Sequence, residues 1–379
     1  MRVRNAEALA NAGYSARHRG LAYRWHVDVP LLLLVMALAL FGLVVLYSAA
    51  GGSTAVVFRQ GARFGIGLLA MLVIAQIPPE RLRRWSPVLF GVGLALLVTV
   101  LWIGHVGKGA QRWINLGFMR FQPSELVKLA TPMMIAWFIA AQPLPPRWWR
   151  VVAALAWVAL PVVLTALQPD LGTAILIGTG GAVVLFFGGM SWRWVGGFVA
   201  AVAAAAPALW WWAMHDYQRE RVRTLLDPER DPLGAGYHII QSKIAIGSGG
   251  VYGKGWLNGT QSQLEFLPER TTDFIFAVLS EEFGFVGVLL LLALYMAIIA
   301  RGLYIATRAQ DSYTRLLAGA LVLSFSVYVI VNTGMVSGLL PVVGIPLPLV
   351  SYGGTSVVTL LIGFGILMSI HTHRKLLPT

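Results

Sequence analysis

Residues 29–50 read VPLLLLVMALALFGLVVLYSAA, an uncharged apolar run long enough to cross a bilayer as one helix. Nine further runs follow, at roughly 55–77, 86–106, 123–141, 149–168, 171–190, 194–214, 274–300, 316–338 and 348–370. Composition agrees: 57% of residues are hydrophobic and 12% charged, against nearer half and a quarter in a soluble domain. The expected fold class is an all-α polytopic membrane protein of about ten transmembrane helices. Residues 29–379 are read as a single integral membrane domain behind a cytoplasmic tail, 1–28. The AAGG after the first run resembles a signal cleavage site, but the run is longer than a signal core.

The net charge of +13 is not gathered in one patch, which argues against nucleic acid as a partner. The basic residues fall mostly in short connections: Arg81, Arg83 and Arg84, then Arg147 and Arg150, Arg193, and Arg301, Arg308 and Arg315. With the arginines of the tail and Arg374 and Lys375, these lie on one side, so both termini are expected in the cytoplasm. Lys108, Arg112 and Arg120 are a mild exception. The absence of cysteine excludes disulfides, thiol catalysis and thiolate metal sites.

The one long connection, 215–273, then faces outward between the seventh and eighth spans, and loops of that length are usually functional. It has a charged start, an amphipathic middle and a glycine-rich turn. Ile239, Ile240, Ile244 and Ile246 suggest a short helix on the bilayer or on the bundle. The loop ends in QSQLEFLPERTTDFIFA, with Glu265, Glu269, Arg270 and Asp273 at the mouth of an apolar run. A carboxylate where water meets membrane is a functional candidate. The GSGGVYGKG stretch has the wrong spacing for a phosphate loop and places Gly255 where Ser or Thr would hold magnesium, so no nucleotide is expected.

Other polar residues sit at membrane depth. Glu125 and Lys128 share a helix face, as a structural ion pair or as a functional one. Arg59 and Arg63 share another, and either snorkel to the interface or hold an anion such as a diphosphate. Asp170 fits a helix N-cap. At least one of Glu281 and Glu282 must face the bundle interior or a wet cavity. The stretch PVVGIPLPLVSYGGTS, 341–356, is broken backbone that needs protein or water around it.

Four stretches together carry a resemblance: FQPSELVK, QPDLGT, the span GAGYHIIQSKIAIGSGG with GKGWLNGTQSQLEFLPERTTDFIFAVLSEEFG, and GIPLPLVSYGGTS. From about residue 29 to its end the chain resembles the SEDS family (shape, elongation, division and sporulation). It looks closest to the rod-elongation branch, with the cell-division branch next. The resemblance implies a peptidoglycan glycosyltransferase of the bacterial inner membrane, with its active site on the outer face. Its substrate would be lipid II, a disaccharide-pentapeptide on undecaprenyl diphosphate. Its partners would be a class B penicillin-binding protein, other elongation-complex proteins and membrane lipids. It also implies that Asp273 is the essential carboxylate, that Glu125 and Lys128 matter for function, and that a divalent cation, Mg2+ or Mn2+, takes part; no ligands for that metal are legible.

The chemistry is consistent with those residue types. A sugar hydroxyl displacing a diphosphate needs a base, which Asp273 supplies in this reading. Diphosphate leaves readily, so cations rather than a second acid are required. Arg59, Lys128, Lys243 and Arg270 are the candidates for it, and Glu125 joins them as a substrate-binding residue. Two other classes stay open: a lipid II flippase, since buried charge pairs and broken helices are transporter features, and a non-catalytic scaffold for the crosslinking partner.

Overall fold

The structure, a computed structural model, describes residues 25–107, 110–115, 120–208, 210–211, 214, 216–230, 236–264 and 266–374. Helices occupy all ten predicted runs: α1 (Val29–Ala49), α2 (Thr54–Ala75), α3 (Pro79–Ile103), α4 (Pro123–Ile139), α5 (Trp148–Ala166), α6 (Leu171–Phe187) and α7 (Trp192–Ala208). The long connection contributes α8 (Asp216–Leu226), a 3-10 turn (Pro228–Arg230), α9 (Tyr237–Ser248) and α10 (Thr260–Gln263). The chain closes with α11 (Ile275–Thr307), α12 (Ser312–Val336) and α13 (Thr355–Thr372). Among the described residues, seven of these are long and apolar enough to cross a membrane. The 17-residue helices α4, α6 and α7 fall short on length, so ten crossings do not follow from length alone.

Three helices start where an aspartate can receive the open N–H groups of the first turn. Asp28 accepts from Leu31 N at 2.9 Å, Asp170 from Thr173 N at 3.2 Å, as expected, and Asp311 from Thr314 N at 3.1 Å. The other helix edges correct the sequence reading. α3 begins at Pro79 rather than 86, because proline is suited to a first helical turn, and it draws Arg81, Arg83 and Arg84 into the helix. α13 begins at Thr355 rather than 348, since residues 341–354, rich in Pro and Gly, are not helical. Between α3 and α4 lies a small antiparallel ribbon, β1 (His105–Gly107), β2 (Ala110–Asn115) and β3 (Arg120–Phe121), which hydrophobicity did not signal.

α12 is the centre of the bundle. It packs on α4, α6, α9, α11 and α13, while α1 lies on α11 and α2 on α13. The helix predicted in the long connection forms as α9 and lies on α11 and α12. Ile239 and Ala245 are buried there, Ile244 stays exposed, and Ser242 Oγ donates to Val336 O at 2.8 Å.

Candidate functional site

Asp273 sits two residues before the start of α11, in a half-buried turn held through its backbone. Asn332 of α12 donates from Nδ2 to Asp273 O at 2.9 Å and to Ile345 O at 2.7 Å, tying the turn to the 341–354 segment. Tyr352 N donates to Thr271 O at 2.8 Å, and Ser351 Oγ to Thr272 O at 2.6 Å. The broken backbone is therefore surrounded by protein, as the sequence required. Gln60 of α2 fixes it from the far side, donating to Ser351 O at 3.3 Å and accepting from Gly353 N at 3.4 Å. Arg63 donates to Gly353 O at 3.2 Å and lies 4.4 Å from the Tyr352 ring centroid. Gly344, at φ +75°, lies against the carboxylate: a Cβ there would stand 3.5 Å from Asp273 Oδ2. Both the left-handed backbone and the approach of the carboxylate favour glycine.

The other expected residues divide. Arg270 donates to Ser262 O, which turns it toward its own loop. Lys243 is exposed on α9, its stem lying over Gly338 just beyond the end of α12, where a cation is favoured by the helix dipole. Arg59 is exposed on α2, beside buried Gln60. Glu265 lies outside the described residues, and Glu269 Oε2 accepts from Thr272 Oγ1 at 2.8 Å.

Glu125 and Lys128 pair at 2.7 Å with side chains 6% and 9% exposed. Lys128 Nζ also lies 5.1 Å from the Tyr328 ring centroid. Glu125 Oε2 finds no partner among the described residues. Tyr328 and Asn332 are four residues apart on one face of α12, about 6 Å along its axis. The ion pair thus lies about one helical turn deeper than the Asp273 carbonyl. Beside it, Asp170 takes Arg112 at 3.5 Å and Gln122 Nε2 at 3.1 Å.

Both Glu281 and Glu282 are buried. α11 is interrupted just after them by Gly284, at φ 63°, ψ −160°, a region open essentially to glycine alone. The glycine-rich turn wraps this break. Lys254 N donates to Glu281 O and Gly255 N to Glu282 O, both at 3.0 Å. Glu281 Oε1 receives Lys254 Nζ at 2.7 Å, Thr260 Oγ1 at 3.1 Å and Gln261 N at 2.9 Å. Ser48 Oγ donates to Glu282 Oε1 at 2.5 Å. The stretch that looked like a phosphate loop is a strap that satisfies a broken helix.

At the far end of α11, Asp28 accepts from Arg301 at 2.7 and 3.1 Å and lies 2.6 Å from His371 Nδ1. Burial works against ionisation of Asp28, but the bonds from His371, Arg301 and Leu31 N outweigh it and hold its carboxyl well below the usual carboxylate range.

Sequence reasoning missed Gln60, Tyr328 and Asn332. The last two had a signal, as lone polar groups in the apolar run SVYVIVNTGMV.

Residues 29–376 match the model of the cell cycle protein family that takes its name from FtsW, RodA and SpoVE. The chain belongs to this family. It is 57% identical over 352 residues to the peptidoglycan glycosyltransferase MrdB of Escherichia coli K12, covering 93% of this chain and 95% of that one. A probable peptidoglycan glycosyltransferase FtsW of Trichlorobacter lovleyi is 38% identical over 364 residues, 93% of this chain and 94% of its own. Among solved structures, one chain from a peptidoglycan synthase complex that coordinates polymerization and crosslinking matches with TM-score 0.81 and 37% identity, covering 92% of this chain and 98% of that one. Thermus thermophilus rod shape determining protein RodA matches at 0.70 and 31%, over 92% and 98%. Like other FtsW/RodA/SpoVE members, the chain is a multi-pass membrane protein.

Proposed function

We propose that this protein is a peptidoglycan glycosyltransferase that polymerises lipid II during rod elongation, with Asp273 as its general base. The observation that carries the reading is the 57% identity to MrdB along 93% of the chain. Asp273 gives it a chemical centre: a carboxylate at the mouth of the bundle, on a turn whose backbone is fixed by Asn332 and Ser351. In the reaction, an acceptor sugar hydroxyl gives its proton to Asp273 while its oxygen bonds to the donor's anomeric carbon. The bond from that carbon to the diphosphate breaks, and the undecaprenyl diphosphate leaves with the electron pair. One displacement inverts the anomeric centre. A positioned carboxylate contributes about 10²–10⁴-fold to such a step.

The site faces outward from the inner membrane, with both termini in the cytoplasm, by the distribution of arginines over the short connections. Among the described residues no group of three His, Asp or Glu side chains stands close enough to hold a metal. A divalent cation would arrive with the substrate diphosphate and lean on one or two carboxylates, an arrangement Mg2+ commonly takes. A class B penicillin-binding protein is the partner that crosslinks the product.

The test is polymerisation by purified protein with lipid II, a divalent cation and the crosslinking partner. Glycan chains from wild type and none from Asp273→Ala support the reading. Lipid II crossing a liposome membrane with no chains formed would replace it with a flippase.

A further inference from the structure

Arg150, in the first turn of α5, is 6% exposed, and its Nε and Nη1 are enclosed without a hydrogen-bond partner among the described residues. Phe138 of α4 and Trp149 flank the guanidinium, whose carbon lies 4.7 and 5.6 Å from their ring centroids. Aromatic rings attract a cation, but these leave its N–H groups without acceptors and its charge without a counter-ion. A buried charge in that state is strongly destabilising. The neighbouring chain supplies no carboxylate. Between Glu125 and Asp216 the only acidic residue is Asp170, which caps α6 beyond the opposite end of α5. α5 packs on α3, α4 and α6. On those helices Glu125 is paired with Lys128, and Glu80, in the first turn of α3, is engaged by another group.

The place of Arg150 points to the missing counter-ion. α5 is long and apolar enough to cross a membrane, so its first turn lies at headgroup depth. Trp148 and Trp149 are exposed there, as aromatic residues are at a membrane interface. Helical side chains lean toward the start of their own helix, so Arg150 reaches back over this turn. The turn has no side-chain cap at its N-cap residue, Arg147. Open N–H groups and the positive end of the helix dipole favour an anion. Arg147 is exposed and stands three residues before Arg150, on the same side of the helix.

We propose that Arg147, Arg150 and the uncapped start of α5 bind the phosphate of an anionic phospholipid headgroup. Nη2 is the guanidinium nitrogen of Arg150 that is not sealed off. Because the charge is delocalised over the guanidinium, a phosphate at Nη2 compensates the whole group. Inorganic phosphate offers the same chemistry, so the experiment separates the two. The full chain, delipidated in detergent, is titrated with phosphatidylglycerol, phosphatidylcholine or inorganic phosphate. Thermal unfolding is followed, and bound lipid is counted by native mass spectrometry. Phosphatidylglycerol binds wild type and raises its melting temperature more than phosphatidylcholine does, and inorganic phosphate leaves it unchanged. Arg150→Met, which keeps an unbranched side chain and removes the charge, melts above wild type when lipid is absent. It also binds phosphatidylglycerol about tenfold more weakly, as loss of a charge-assisted hydrogen bond requires. Arg150→Lys retains part of the affinity. Arg147→Ala, at an exposed position, melts as wild type does without lipid and weakens binding about fivefold. Equal shifts from the two lipids, or a shift from inorganic phosphate matching that of phosphatidylglycerol, would overturn the lipid site. So would unchanged affinity in folded Arg150→Met. A lipid-free Arg150→Met that melts below wild type would show that the two rings suffice for the cation, and no binding by wild type would leave the counter-ion to a partner protein; either result overturns the proposal.

Discussion

Asp273 and Glu281 lie eight residues apart, one before and one after the start of α11, and the fold treats them in opposite ways. Glu281 is fully buried and receives an ammonium, a hydroxyl and two backbone N–H groups. Asp273 is half-buried, and the bonds that fix its turn go to the carbonyls of Thr271, Thr272 and Asp273 itself. The first arrangement stabilises a charge where it is. The second holds the backbone still and sets Gly344 against the carboxylate. Chain position and residue type would not separate the two; burial does.

That contrast can be broken in order of effect. Asp273→Asn should lower polymerisation about 10²–10⁴-fold, measured as glycan chains on a gel, with the melting temperature unchanged. A large fall in melting temperature would show that Asp273 is structural like Glu281. Glu281→Ala should do the reverse, costing about 3–5 kcal/mol in denaturant unfolding, because Lys254 and the strap lose their buried acceptor. Gly284→Ala should cost about 1–3 kcal/mol for the backbone conformation alone, and more because its Cβ would meet Gly253 N at 2.2 Å.

A third carboxylate sharpens the comparison through pH. The folded-state pKa of Asp28 is depressed, so its stabilisation is present above the unfolded value, about 3.9, and is lost as pH falls below it. Unfolding followed from pH 7 down to about pH 2 should show this loss set in below about pH 4 in wild type and not in Asp28→Asn, which at neutral pH is less stable by about 1.5–3 kcal/mol. The exposed Arg223–Glu220 pair, at 3.7 Å, sets the floor: Glu220→Gln should change stability by less than about 0.5 kcal/mol.

Much of this was legible. Ten apolar runs announce ten helices, Asp170 announces its cap, and two glutamates in an apolar run announce a buried polar site. The prolines and glycines of 341–354 announce broken backbone. What stayed hidden depends on distance in sequence. Asp28, Arg301 and His371 meet across more than 270 residues, and no spacing encodes that. The break at Gly284 was hidden because one glycine in an apolar helix is ordinary, and only the strap's glycines fitting against it make it necessary.

Asn332 grips the Asp273 carbonyl, and Tyr328, one turn away on the same face, covers Lys128. A helix turns about 100° per residue, so any slip of α12 by a single position would swing both side chains off their partners at once. The Asp273 turn and the buried ion pair therefore share one mechanical variable, the rotation of α12 about its own axis. Whatever sets that angle sets both.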